Sequence, residues 1–524
     1  MFFSAFPADY KVDQDGWNFY NFNTTDNLDT LWTIYSKAFL GVSPYRSSAS
    51  FDDITFFDQL VSRYAGHASC FGMSMMSIVC YKEGGHLAVC CPCYMYEGDL
   101  DNNTSFGPDM YTVRESISIM HLRQLTQPMI TRIIDMVNSN DYLNPEEQFY
   151  DIRTSIYSGD LPLLSFMPGD VSSVSSAISG TEEAHTIVPY AVGETTSKWH
   201  IYCYDPNRPY SQHNSWYDSP GNVNYVEIDK SSKKWKYPAN YTSSSTYGWQ
   251  GGTSGPWTFI GTSISDAKYK DNHPLNVNYL LAEIGSFIFS NGATVTQITD
   301  SEGKHLYKQV GGKIFYEPDP SKRIPNLVRW PYFGSNAIKR DEIYFGREMT
   351  GKSFNIEIES DSKSYTCDFL KSGHYIQLSI PKGAAGKDEL RINKIGSKTQ
   401  VVELVSKRKL KNIKMEIVKR IPNTKIVRKF RINDLNIQKD SPVEVSLRDN
   451  FQAVQLLSKN KDISYSLEFR QKVKGKEQVF KSQRIINTAG QIQIARPSNW
   501  KELDRKDIEL KVWKQEVQPK INQR

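Results

Sequence analysis

The sequence predicts an α+β domain followed by an all-β, sandwich-like region. Three observations point there. Apolar residues recur at helical spacing through much of residues 26–157. At Gly159 the period changes to two. From about 346 to the end, short alternating segments separated by turn residues follow one another at nearly regular intervals. Charge divides the chain in the same way: 351–524 holds 37 Lys+Arg against 20 Asp+Glu, and 1–350 holds 26 against 38. A change of sign between halves marks separate domains, and 524 residues exceed what one hydrophobic core serves. The expected organisation is an α+β domain at 1–290, a transitional or linker segment at 291–345, and one or two basic β-sandwich modules at 346–524.

Taken in order, residues 26–40 read as an amphipathic helix, because Leu28, Leu31, Trp32, Tyr35 and Phe39 share a face and Asp26 stands where a cap belongs. Residues 52–64 suggest a second short helix. Residues 70–81 place Met73, Met76, Ser77 and Cys80 on one face of a buried helix that Gly84-Gly85 ends. The apolar run 86–96 fits a strand or a helix. Residues 109–138 predict a helix broken at Pro128, and 146–157 another. Three strands follow at 161–166, 186–192 and 198–204, the last two joined by the hairpin 193–197. Residues 211–275, rich in Ser, Tyr, Trp, Asn and Gly, predict strands with long loops or a flap over a site. In the basic half, strands are expected at 354–358, 375–380, 401–405, 414–418, 425–432, 443–447, 464–469 and 508–512.

Composition narrows the function classes. Hydrophobic residues make up 39% and charged residues 23%, ordinary for a globular protein. No stretch supplies the ~18 apolar residues of a membrane span. The start, Met1 to Asp9, is apolar but short and has neither a basic n-region nor a full h-region, so it does not read as a signal peptide. The expected location is the cytoplasm, or outside it by export without a cleaved leader. Seven cysteines cannot all pair, which favours reduced thiols. The basic half suits an acidic partner, or simply carries lysines on the outer faces of strands. Its charges are spread out rather than clustered, so nucleic acid is not the expected partner. No Walker loop, Rossmann fingerprint or His-Glu-x-x-His is present, and no cofactor is expected. Cys90-Cys91-Pro92-Cys93 with His86 invites a zinc reading, but adjacent strand cysteines point to opposite faces, so core thiols and no metal are expected.

The chemistry concentrates elsewhere. Cys70, in Gly66-His67-Ala68-Ser69-Cys70-Phe71-Gly72-Met73-Ser74, opens a helix, where the positive end of the dipole favours a thiolate nucleophile. His185 begins a strand 115 residues later, and Asp205 ends the next strand 20 residues after that, in Tyr204-Asp205-Pro206-Asn207. Cysteine, histidine and acid in this order are the parts of a Cys-His-Asp hydrolase.

Three pieces of residues 60–210 resemble the papain-like cysteine peptidases, and within them the bacterial relatives of the peptidases that remove double-glycine leaders. They are the helix start Cys70-Phe71-Gly72-Met73, the strand Gly159-Asp160-Leu161-Pro162-Leu163-Leu164, and the hairpin from His185-Thr186-Ile187-Val188 to Tyr204-Asp205-Pro206-Asn207. The resemblance implies a papain-like fold and a peptide or protein substrate. It implies that Cys70 attacks the carbonyl carbon, that His185 ionises the thiol and protonates the leaving amine, and that Asp205 fixes the imidazole. The Cys70 backbone N–H would donate to the oxyanion. The family usually places a Gln six residues before the nucleophile; here that position is Tyr64, leaving Gln59 and His67 as alternative oxyanion donors. A cell-wall amidase uses a related helix start. A retired, inactive hydrolase fold serving as a binding or structural subunit, or as cargo of a larger assembly, is the reading from a different class.

Overall fold

The computed structural model describes residues 3–5, 9–23, 27–62, 69–87, 89–101, 103–104, 111–168, 184–214, 217, 224–238, 247–252, 257–267, 276–277, 280–281, 286–310, 313–317, 319–330, 342–361, 363–383, 385–394, 397, 400–421, 424, 426–448, 451–473, 476–500, 503 and 508–514. It is mixed α+β; among the described residues the α-helices lie in the first part and antiparallel sheet dominates the rest. The chain forms two compact units. The first holds 1–284 with 310–320 and 330–338; the second holds 285–309, 321–329 and 339–524.

In the first unit, local signals explain most helix boundaries. Leu28–Ala38 starts where the Asn27 side chain accepts from the Asp29 and Thr30 N–H groups; Asp26, expected as the cap, lies outside the described residues. Phe51–Phe56 opens on a capping box of Ser50 and Asp53 and runs into a π turn, Phe57–Val61. Cys70–Glu83 ends at Gly84, whose φ of 73° is the left-handed region that glycine tolerates. Val113–Leu122 has a Thr112/Glu115 capping box, and Gln127–Ser139 carries Pro128 in its first turn, so the expected break falls just ahead of the proline. Pro145–Tyr157 follows. Among the described residues of 86–96 there is neither an extended strand nor an α-helix: a single bridge joins His86 and Val89, and a 3-10 turn spans Pro92–Tyr94. The proline and the glycine pair before it account for that.

An eight-stranded sheet completes this unit. Its order is Phe3–Ala5, His185–Glu194, Leu163–Pro168, Trp257–Thr262, Tyr247–Gly251, Trp235–Pro238, Tyr225–Asp229 and Lys198–Tyr204, and the last strand pairs back to His185–Glu194. Seven strands therefore close into a ring. His185–Glu194 is buried on both faces and packs against the Cys70–Glu83 helix, so His185 is presented to the start of that helix.

The second unit consists of two long antiparallel sheets. One includes Ser286–Asn291, Tyr365–Lys371, His374–Ile380, Leu410–Arg420, Val427–Ile437 and Ile463–Val473; the other includes Thr294–Asp300, Phe354–Ser360, Gly386–Asn393, Val401–Ser406, Val443–Arg448, Ala453–Ser458, Gln491–Pro497 and Ile508–Lys514. Buried and half-exposed positions alternate along several strands, as in Phe354–Ser360. Hydrogen bonds from Tyr365 to Asp388 (2.7 Å) and from Tyr465 to Gln493 (2.6 Å) cross from sheet to sheet. Within residues 291–345, Thr294–Asp300, Lys313–Tyr316, Leu327–Trp330 and Glu342–Gly346 are strands of these sheets. Their β-branched and aromatic residues make that reading intelligible. Among the described residues no helix is long and apolar enough to cross a membrane.

Candidate active site

Cys70 is the first residue of its helix, and Ser69 before it has a non-helical backbone with no side-chain cap. The first N–H groups of a helix have no partner within it; among the described residues none is recorded for the Cys70 N–H. One turn on, Ser74 Oγ donates to the Thr186 carbonyl at 3.0 Å. Thr186 follows His185, so this bond sets the register between helix start and histidine strand. Thr186 Oγ1 is also 2.9 Å from Ser165 Oγ on the neighbouring strand, where Phe166 pairs with His185.

Cys70, His185 and Asp205, far apart in sequence, meet here. His185 Nε2 lies 2.7 Å from Asp205 Oδ1, and the Cys70 side chain interacts with the same ring. With Nε2 committed to the carboxylate, Nδ1 is the nitrogen left for sulfur. All three are buried, at 1%, 3% and 1% exposure. Burial works against an imidazolium, but the charge of Asp205, the charge of Cys70 and hydrogen bonds to both outweigh it, and the His185 pKa is raised from 6.5 to about 10.

Asp205 is also buried, which by itself favours the neutral acid. The His185 charge and hydrogen bond, the Arg208 guanidinium and the Asn207 N–H hold its carboxyl well below the usual range. The geometry agrees. Asn207 N–H donates to Oδ1 at 2.8 Å, closing the Asp205-Pro206-Asn207 turn. On the other oxygen, Tyr237 Oη lies 2.9 Å away and Arg208 Nε 3.7 Å away. Asn224 Oδ1 accepts from Arg208 (2.5 Å) and its amide donates to the Cys203 carbonyl (2.6 Å), so Arg208 is itself held.

One wall of the site is aromatic. The Trp249 indole stacks on the His185 ring, centroids 5.3 Å apart and 16° from parallel, and Phe166 stacks on Trp249 at 5.1 Å. A ring stacked on His185 covers one face of the imidazole with apolar surface, where a buried hydrogen bond is stronger.

Other residues singled out in the sequence lie elsewhere. Gln59, on the π turn, is 9% exposed, its Oε1 has no hydrogen-bond partner among the described residues, and no hydrogen bond joins it to Ser69 or Cys70. His67 and Tyr64 lie outside the described residues. His121 is buried against Phe71, its pKa lowered to about 3 by burial; His200 lies 3.6 Å from Glu227, and His213 3.1 Å from the Tyr20 hydroxyl. Cys90, Cys91 and Cys93 are free thiols. Among the described residues no group of three or more His, Cys, Asp or Glu side chains is placed to hold a metal ion. Arg208, Asn224, Tyr237 and Trp249 were not anticipated. Arg208, three residues after Asp205, carried a local hint; the aromatic wealth of 211–275 said only that rings pack there.

An acid holding an imidazole that in turn bonds a helix-start thiol can supply a sulfur nucleophile and return a proton to a leaving group. Compared with known proteins, the chain matches no family model, no curated protein and no solved structure.

Proposed function

We propose that this protein is a papain-like cysteine peptidase that cleaves peptide bonds through Cys70, His185 and Asp205, its basic second unit, a sandwich-like β module, serving for docking or targeting. One observation carries the reading: the 2.7 Å contact of His185 Nε2 with Asp205, on a ring with which the Cys70 side chain also interacts. In the first step the thiolate attacks the carbonyl carbon and its π pair moves to oxygen. The His185 imidazolium then gives its proton to the leaving amine as the C–N bond breaks, leaving a thioester. Water, deprotonated by the same imidazole, hydrolyses it. Asp205 stabilises the imidazolium and keeps Nδ1 toward sulfur. No metal or cofactor is needed for these steps.

The near-complete burial of Cys70 and His185 favours a second reading, in which the same arrangement persists in an inactive scaffold that binds or builds a larger assembly. Alkylation separates the two. Under the peptidase reading, iodoacetamide at pH 6 modifies Cys70 faster than Cys80, located by peptide mass spectrometry, and His185→Ala slows the Cys70 reaction at least about tenfold. Equal, slow modification of Cys70 and Cys80, indifferent to His185→Ala, would leave the scaffold reading standing.

A further inference from the structure

A tetrahedral intermediate needs two donors for its oxygen, and the reading above supplies only the Cys70 N–H. We propose that Asn21 is the second donor, an inference that rests on Cys70 being the nucleophile. Asn21 belongs to an N-terminal stretch that passes beside the helix start and the acid turn. Trp17 Nε1 donates to the Met73 carbonyl and Trp17 N–H to the Tyr204 hydroxyl, both at 2.9 Å. The Asn21 N–H donates to the Pro206 carbonyl at 3.0 Å, beside Asp205. Its side-chain Oδ1 accepts from the Ser69 N–H at 2.6 Å, one residue before the nucleophile.

That last bond decides the orientation of the amide. A backbone N–H must face an acceptor, so the carbonyl end of Asn21 is committed to Ser69 and the NH₂ end is turned away from it. Among the described residues Nδ2 makes no hydrogen bond, and the residue is half-buried, so its two N–H groups stay available to an incoming oxygen. The residue is held twice, by Pro206 through its backbone N–H and by Ser69 through its side-chain oxygen, which is the preorganisation an oxyanion donor requires. Trp17 Nε1 is already committed to Met73, and Gln59 has no hydrogen bond to the helix start, so neither competes.

Two small probes of Cys70 test this. p-Nitrophenyl acetate acylates sulfur through an oxyanion: the C–S bond forms, the carbonyl pair moves to oxygen, and its return expels p-nitrophenolate. Iodoacetamide alkylates the same sulfur by displacing iodide at a saturated carbon, with no oxyanion. The ratio of the two rates, corrected with Cys70→Ala, cancels any change in thiolate supply. Asn21→Ala removes the donors; Asn21→Asp keeps an acceptor for Ser69 while removing the N–H groups. In both variants acylation should fall at least about tenfold, toward the ~10²–10³ seen for loss of one oxyanion donor, with alkylation by Asn21→Ala within about threefold of wild type. Parallel loss of both rates, meaning a structural role, or an unchanged ratio would overturn the assignment of Asn21. If wild-type Cys70 is alkylated no faster than in His185→Ala, the nucleophile reading itself fails, a result distinct from either.

Discussion

Asp205 must stay ionised where water is excluded, and its surroundings show how. The Asn207 N–H and His185 share Oδ1, while Tyr237 and Arg208 flank Oδ2. The imidazolium depends on that charge in return. In Asp205→Asn the larger Coulombic support goes while burial and the Cys70 interaction stay, so the His185 pKa should fall well below about 10, as ¹⁵N-detected titration of the ring would show. Stability follows the same linkage. The raised His185 pKa contributes stability that is fully present below 6.5 and is lost as pH rises through about 10. The depressed Asp205 pKa contributes stability present above 3.8 and lost as pH falls below it. The stability difference between wild type and Asp205→Asn, from denaturant melts, should therefore be largest between about pH 4 and 7 and shrink as pH rises through about 10; a difference flat to pH 11 would contradict it. Cys70, His185 and Asp205 were legible in the sequence because each carries chemistry by type. Asn21 and Trp249 were not, because an amide or an indole acquires a role only from a partner far along the chain.

At the scale of elements, the helix that opens on Cys70 is positioned by the absence of a side chain at Gly72. A Cβ there would lie 2.2 Å from the Ile117 carbonyl oxygen and 2.9 Å from the His121 N and Cβ atoms, so this glycine lets two helices approach closely. Gly72→Ala should gain about 1 kcal/mol of helix propensity, but the clash is with backbone and overpacking costs about 1–3 kcal/mol. The expected outcome is net destabilisation and a displaced Cys70, read as a lower melting midpoint and slower alkylation; a stabilised variant would show the helices free to part. The same glycine appears in the sequence as part of a short motif, and its physical reason is this crossing. Helices with their own caps, such as Val113–Leu122 and Pro145–Tyr157, could be read locally. Gly386–Asn393 was not anticipated as a strand, because its charges look solvated. Asp388 is buried all the same, bonded by Tyr365 (2.7 Å), Ser406 (2.5 Å) and Arg408 (2.6 Å), residues distant in sequence. Pairing that makes a buried carboxylate affordable is invisible to alternation alone.

At the scale of the whole chain, charge and pattern pointed to two domains joined by a transitional stretch, and the chain passes between two compact units more than once. The chain enters the second unit at 285, returns to the first for 310–320 and 330–338, and resumes the second from 339. A cut at 290, natural on the sequence, would fall inside the strand Ser286–Asn291 of the second unit. Each unit still has its own core, one around Phe71, Ile117 and Ile187, the other around Leu404, Val445 and Phe430. Separate cores should melt separately, so scanning calorimetry should resolve two transitions. Gly72→Ala should lower one of them, and Leu404→Ala, a truncation costing about 2–5 kcal/mol in a filled core, should lower the other by several degrees, at about 2–4 °C per kcal/mol for bodies of this size. If Leu404→Ala also slows Cys70 alkylation, or if both variants move a single transition, the interleaved chain couples the β unit to the thiol. The basic half would then contribute to holding the site together rather than acting as an appended module.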